Sequence, residues 1–261
     1  MSNVLYAELT PAGFRDRLRA CPIAYLPLGT LEWHGEHLPL GTDALLAYEF
    51  FIPLARKVGG IVLPLVFMGP DGVTGEGDRA LYGMDAWTGE KDAGRKLREP
   101  APLEGSAYWM PDDLFSRMAE AIFRQLRRAG FKAVVIHGHG PSVGALIKEA
   151  GEAQILHGLR LFNCWGYSQD GQWRAVAPLV EAATGITGGH GGSDETAGIL
   201  ALRPELARMD LLPKNPSDWP IGVGGQDPRL HASREKGLKM TEIAMDWMVK
   251  QLDEYLASGN L

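Results

Sequence analysis

The chain has 261 residues, of which 45% are hydrophobic and 22% are charged, and its formal net charge is -6. This composition is typical of a globular protein, and the length allows one domain, residues 1–261, to bury a substantial core without disulfides. Acidic and basic residues are interspersed, which argues against a basic stripe for nucleic acid and against a basic membrane-surface helix.

The N-terminal segment and the cysteines predict a cytoplasmic protein. The first residues, MSNVLYAELTPAGF, lack the basic segment and the apolar run of a signal peptide. No stretch approaches the roughly 20 apolar residues that a bilayer-spanning helix needs. Only Cys21 and Cys164 are present, which suits a reducing compartment.

The first half of the chain begins with strand and helix signals and then loses them. An apolar run predicts a buried strand over 21–29, and a helix is predicted over 43–60. A second strand is predicted over 61–67, where Pro64 favours the edge of a sheet. The segment 68–110 is rich in glycine, proline, charge and aromatics, and its length predicts a lid or a subunit contact.

The second half returns to alternating strands and helices. The predicted elements are a helix from Pro111 to Gly130, a strand over 131–140, a helix over 142–156, a strand over 159–165 and an amphipathic helix over 233–256. This alternation predicts an α/β protein with a mainly parallel sheet that helices cover on both sides.

The stretch LEWHGEHLPLGTD, residues 31–43, contains two histidines and three acids but no lysine or arginine. Glu32 and His34 follow the first predicted strand, and Asp43 stands at the start of the next helix. Ligands of parallel sheets bind beyond the carboxyl ends of the strands, so these side chains are expected to face one crevice. A metal ion would balance their negative charge.

A second pair of histidines follows another strand. His137 and His139 stand at the end of the strand predicted over 131–140 and are expected to reach the same crevice. Carboxylates and imidazoles without thiolates suit zinc, manganese or iron. One aspartate can bridge two ions, which would activate a water molecule for hydrolysis.

A glycine-rich stretch, TGGHGGSDETAG at 187–198, adds His190 and Glu195. His190 is predicted to act as a general acid or base. Glu195 is predicted to serve the site, with stabilisation of a helix N-terminus as the alternative, and Ser193 or Thr196 is predicted to cap that helix. The stretch lacks the glycine spacing and the lysine of nucleotide-binding loops.

Two tryptophans precede this stretch. Trp165 and Trp173 are predicted to offer a ring that stacks on a flat ligand, with core packing as the competing interpretation. Trp165 and His137 are therefore the predicted substrate contacts.

Three stretches, GTLEWHGEHLPLGTD, VVIHGHG and HGGSDET, resemble the creatininase family of metal-dependent amidohydrolases. The resemblance covers most of the chain and fails within 68–110. It implies a three-layer α/β/α sandwich and a homo-oligomer, often a hexamer. It also implies the following roles: Glu32 and His139 bind one metal, His34 binds another, Asp43 bridges them, and His190 lies beside the substrate.

Two positions depart from the family pattern. Pro141 stands where creatininase has a glutamate that completes the second metal site, so this site is expected to use Glu195, to be weaker or to be empty. His137 replaces the usual asparagine, as an extra ligand or a substrate contact, and argues against creatinine as the substrate.

The resulting hypothesis is a hydrolase that uses one or two divalent ions and acts on a small cyclic or amide substrate. One alternative is carbon–carbon hydrolysis that opens a cyclic diketone such as a keto-inositol. An alternative of another class is a non-catalytic protein that binds metal or ligand.

Overall fold

The computed structural model describes residues 3–87, 99–168 and 175–259. The helices of the described ranges are α1 Pro11–Ala20, α2 Thr42–Lys57, α3 Asp112–Ala129, α4 Gly140–Ala150, α5 Ala177–Thr184, α6 Ser193–Leu202, α7 Pro228–His231 and α8 Arg234–Ala257. The strands are β1 Ile23–Leu28, β2 Ile61–Val62, β3 Val73–Thr74, β4 Leu81–Tyr82, β5 Ala133–Gly138, β6 Ile155–Leu156 and β7 Leu159–Asn163. Short 3₁₀ turns join some of them.

The main sheet has the strand order β2-β1-β5-β7-β6. The first four strands in this order are parallel, and only β6 runs antiparallel to its neighbour. The central strand β1 is buried along its whole length, as its continuous apolar sequence predicts. The mainly parallel sheet is therefore confirmed.

Helices cover both faces of this sheet. On β1, the side chains of Ile23 and Tyr25 enter a core shared with α2, α5, α6 and α8. Ala24 and Leu26 point to the opposite face and enter a second core with α3 and α4. Successive strand residues point to opposite sides, so a three-layer α/β/α sandwich results and the predicted fold class is confirmed.

Several predicted boundaries were wrong. The helix predicted over 142–156 ends at Ala150, because Gly151 adopts a positive φ of 63° that breaks the helix. Ile155–Leu156 instead forms β6, which makes a hairpin with β7. The strand predicted over 61–67 stops before Pro64, although it does lie at the sheet edge.

The described parts of the segment 68–110 contain little regular structure. Strands β3 and β4 form a small separate hairpin. The backbone of Ala107 pairs with that of Leu31, and the indole of Trp33 donates to the carbonyl of Glu104. The segment thus packs against the loop that carries Glu32, and its role as a lid or subunit contact stays a prediction.

Within the described ranges, no helix is both long and apolar enough to cross a membrane.

The close pairing of β1 and β5 provides a test of the fold. Gly138 has a φ of 121°, and a Cβ placed there would lie 1.8 Å from the carbonyl oxygen of Leu28. We expect Gly138→Ala to lower the free energy of unfolding by about 2–4 kcal/mol, because the backbone itself must move. Chemical denaturation measures this change.

Gly140→Ala is the matched control, because open space surrounds the position and its backbone is helical. Its free energy of unfolding should stay within about 1 kcal/mol of the original protein. Equal stability of the two variants would contradict the close approach of β1 to β5.

Candidate metal centre

The site lies beyond the carboxyl ends of β1 and β5. These strands are neighbours with Leu28 opposite Gly138, and the backbone N–H of His139 donates to the carbonyl of Leu28 over 3.1 Å. His139 follows β5 directly, and Glu32 and His34 lie in the loop after β1. Parallel pairing therefore brings together residues that are more than 100 positions apart in the chain.

Two helices add carboxylates to the same place. Asp43 lies in the first turn of α2, which packs on β1 and β5. Glu195 lies in the first turn of α6, which packs on α2. The Glu195 carboxylate accepts the backbone N–H of Gly191 over 2.6 Å, which fixes its direction.

The side-chain donors have the spacing of atoms that share an ion. His34 Nε2 lies 3.4 Å from Asp43 Oδ2, 3.6 Å from Glu195 Oε2 and 3.9 Å from Glu32 Oε1. His139 Nε2 lies 3.5 Å from Glu32 Oε1. Two ligand atoms that are each about 2.1 Å from a tetrahedral ion stand about 3.4 Å apart. The spacing fits common ligation.

The Nδ1 atoms of His34 and His139 form hydrogen bonds on the side of each ring away from the carboxylates. His34 Nδ1 lies 3.2 Å from the backbone carbonyl oxygen of Glu32, so it carries the proton and donates. His139 Nδ1 lies 2.9 Å from the hydroxyl of Ser142. In both rings this arrangement turns Nε2 towards the carboxylates, and His34 Nε2 is buried without a hydrogen-bond partner among the residues that the structure describes. Metal-ligating histidines are commonly oriented in this way.

Burial and mutual charge shift the pKa values strongly. Burial raises the pKa of Glu32 well above its usual range, and it raises the pKa of Glu195 to about 8 although the His34 cation opposes it. Burial would lower the pKa of His34, but the Glu195 and Asp43 carboxylates outweigh it and raise this pKa well above normal. The pKa of Asp43 is lowered because the same cation outweighs burial. Without an ion, protons partly offset the buried negative charge.

Three groups of side chains present ligand atoms within 4.8 Å of one another among the described residues. One contains His34, Asp43 and Glu195, and a second contains Glu32 and His139 together with Asp71. A third contains Glu32, His34 and His190. The structure therefore brings all five predicted ligands together; the pattern of the sequence did not identify Asp71, because it stands alone in the irregular segment.

His190 lies against the first of these groups. Its ring stacks on that of His34 with centroids 4.1 Å apart, and its Nε2–H donates to the backbone carbonyl of Trp33. Burial, followed by the charge of His34, lowers the pKa of His190 to about 3. The ring is therefore neutral near pH 7, and Nδ1 carries the lone pair.

His137 and Trp165 contact each other beside the site. The indole N–H of Trp165 donates to His137 Nε2 over 3.3 Å, so the proton of the neutral imidazole is on Nδ1. Burial lowers the pKa of His137 to about 4, and the buried Nδ1 has no hydrogen-bond partner in the described residues. Trp173, predicted with Trp165, lies outside the described residues.

The predicted helix cap after the glycine-rich stretch was wrong. The residue that precedes α6 is Gly192, which has no capping side chain. Ser193 donates instead to the carbonyls of Gln226 and Asp227. The Thr196 hydroxyl lies 2.8 Å from His37 Nε2 and joins α6 to the loop after β1.

Comparison with known proteins assigns the family. The creatininase family model, described as creatinine amidohydrolase, matches residues 7–76 and 104–252. The chain belongs to the creatininase family. The matched ranges contain every predicted ligand, and the gap between them falls in the irregular segment. The resemblance inferred from the three sequence motifs is confirmed.

Individual relatives agree over nearly the whole length. Creatinine amidohydrolase from Pseudomonas putida is 25% identical over an alignment of 280 positions, gaps included. The alignment covers 97% of this chain and 97% of that protein. A mutant creatininase of Zn–Zn type has a TM-score of 0.67 at 22% identity and covers 98% of this chain and 99% of its own. A manganese creatininase has a TM-score of 0.65 at 22% identity, with 97% and 98% covered. These two structures support the fold.

The spacing of the donors predicts the effect of removing one carboxylate. Asp43→Asn keeps the shape of the side chain but removes a buried negative charge 3.4 Å from His34 Nε2. We expect the affinity for Zn²⁺ or Mn²⁺ to fall by more than about tenfold, measured by equilibrium dialysis and elemental analysis.

Glu36→Gln removes an acid from the same loop at an exposed position, so its metal affinity should match that of the original protein. An Asp43→Asn variant that binds metal as tightly as Glu36→Gln would show that Asp43 is no ligand.

Proposed function

We propose that this protein is a hydrolase that uses one or two divalent ions, zinc, manganese or iron, and acts on a small cyclic or amide substrate. The observation that carries the proposal is the set of buried donors with ligand spacing at the ends of β1 and β5. A divalent ion bound there would supply Lewis acidity, which would lower the pKa of water and polarise a carbonyl oxygen.

The residues divide into two ligand groups. Glu32 and His139 would hold one ion, and His34 and Glu195 would hold the other. Asp43 would bridge them, as the family resemblance implies. Glu195 compensates for the missing glutamate at Pro141, because α6 brings its carboxylate within 3.6 Å of His34 Nε2.

His190 is proposed to carry the proton between water and the leaving group. Its Nε2–H is held by the Trp33 carbonyl, and stacking on His34 keeps the ring beside the ligands. A neutral imidazole whose Nδ1 lone pair is available can accept a proton and return it. His137 and Trp165, which contact each other, are proposed as substrate contacts.

The bond that is cleaved is proposed to be an amide. The relatives described above are named as amidohydrolases, whereas no observation favours the carbon–carbon ring-opening alternative. A small-molecule substrate, a homo-oligomer such as a hexamer and a cytoplasmic location stay predictions.

A substrate screen tests the reaction class. We expect hydrolysis of at least one member of a panel of lactams, formamides and creatinine, with no turnover of cyclic diketones. Dialysis against a chelator should abolish this activity, and Zn²⁺ or Mn²⁺ should restore it. Activity that survives complete removal of metal would overturn the proposal.

His190→Gln tests the proton-transfer role. We expect kcat to fall by about 10²–10⁴ while the bound metal is unchanged, because the acid–base group is lost but the ligands remain. A fall in metal content would instead make His190 a ligand, as its position near Glu32 and His34 allows.

The control is His157→Asn. His157 lies in the turn between β6 and β7, beside Glu149 and away from the site. Asparagine tolerates the positive φ of 47° found there, so activity should not change. If His190→Gln retains full metal and full turnover of every substrate, the acid–base role fails. If no substrate is turned over by either protein, the non-catalytic alternative is favoured.

A further inference from the structure

Asp71 places an extra carboxylate in the site from a segment outside the family's sequence motifs. A carboxylate oxygen of Asp71, a carboxylate oxygen of Glu32 and a ring nitrogen of His139 all lie within 4.8 Å of one another. The resemblance to the creatininase family assigns no role to Asp71. Pro141 supplies no acid after β5, whereas Asp71 brings a carboxylate to the site from the segment 68–110.

The backbone around Asp71 is fixed on both sides. Met110 N–H donates to the carbonyl of Gly69 over 3.0 Å, and the indole of Trp109 donates to the carbonyl of Asp71 over 2.9 Å. A Cβ on Gly69 would lie 2.4 Å from the Ser142 hydroxyl, the group that orients His139. The start of the segment therefore packs directly on the His139 side of the site.

The carboxylate itself is also held in place. One oxygen of Asp71 accepts the N–H of Gly72 over 2.7 Å. The other lies against Gly83, where a Cβ would be only 1.9 Å from it. Among the described residues no lysine or arginine forms a salt bridge with Asp71, so its charge faces the other carboxylate of the group without a protein counter-ion. A cation would balance both.

We propose that Asp71 is a further protein ligand of the ion held by Glu32 and His139, beside the bridging Asp43, and that metal binding thereby fixes residues 69–87 over the site. This inference rests on the proposed function, because it requires the ion. Glu32, Asp71 and His139 would then bind one ion, His34 and Glu195 would bind the other, and Asp43 would be shared.

The link to residues 69–87 follows from their contacts. Asp85 accepts the backbone N–H groups of Tyr82 and Leu103, which joins β4 to the irregular chain around Leu103. Gly83 N–H donates to the carbonyl of Gly72, which closes the hairpin on Asp71. An ion bound to Asp71 would therefore oppose any opening that carries the hairpin away from the site.

Asp71→Asn tests the inference, with Asp78→Asn as the matched control. Asn keeps the size and the acceptor for Gly72 N–H but removes the charge, and Asp78 is an exposed acid of the same segment. Titration with Zn²⁺ or Mn²⁺ alone should show about tenfold weaker binding of one ion in Asp71→Asn and no change in Asp78→Asn.

Limited trypsin digestion gives a readout that does not depend on activity. Arg79 is exposed in the hairpin, and metal should slow cleavage after it by about tenfold or more in the original protein and in Asp78→Asn. In Asp71→Asn, the cleavage rate should not respond to metal.

Asp71→Cys gives a second variant in case the amide disturbs folding. A thiolate ligand prefers Zn²⁺ over Mn²⁺, so the ratio of the Zn²⁺ affinity to the Mn²⁺ affinity should rise by about tenfold or more. A residue with a purely structural role would leave this ratio unchanged.

The outcomes separate the two proposals. If the original protein binds a divalent ion but all Asp71 variants match it in affinity, metal preference and trypsin protection, the role of Asp71 is overturned and the proposed function stands. If the original protein binds no divalent ion, the proposed function fails and this inference fails with it.

Discussion

The site depends on a concentration of buried negative charge, and the loop at residues 31–43 contains no lysine or arginine that could offset it. Glu32, Asp43 and Glu195 surround His34 at distances of 3.4 to 3.9 Å. In a medium of low polarity, unpaired charges of this kind are costly to bury. The raised pKa values of Glu32, His34 and Glu195 show how the protein offsets them without an ion, since each group tends to hold a proton. A divalent cation would replace these protons and satisfy the same oxygens.

The geometry of the sheet creates this concentration. Parallel pairing of β1 and β5 aligns their carboxyl ends, and the positive φ of Gly138 allows the two backbones to approach there. The loop after β1 and the residue after β5 then share one crevice. Helices α2 and α6 begin at the same crevice, so a carboxylate in the first turn of each can enter it. The α/β architecture therefore positions the side chains that form the candidate metal centre.

The structure explains how the candidate site can depart from the family pattern at Pro141. Pro141 is in the first turn of α4, where a proline costs no helical hydrogen bond, and its exposed ring cannot ligate. Carboxylates nevertheless reach the centre from other elements, Glu195 from α6 and Asp71 from the irregular segment. A metal centre requires donors at the right positions in space, and several positions in the chain can supply them.

The sequence by itself determined an α/β protein with a mainly parallel sheet covered on both sides, and it identified most residues of the candidate site. A continuous apolar run indicates a strand buried on both faces, and polar side chains after such strands indicate the crevice. Both patterns lie within a few consecutive residues, so they can be recognised without the tertiary structure. Local patterns also failed in places. Gly151 and strand β6 were predicted as helix, and the residue that precedes α6 is Gly192 instead of the predicted cap Ser193 or Thr196. Only the tertiary structure decided that Asp71 joins Glu32 and His139, that Glu195 faces His34, and that His190 stacks on His34. These contacts join residues between about 40 and 160 positions apart, and such distances are set by packing of the whole chain and leave no periodic signal in the sequence.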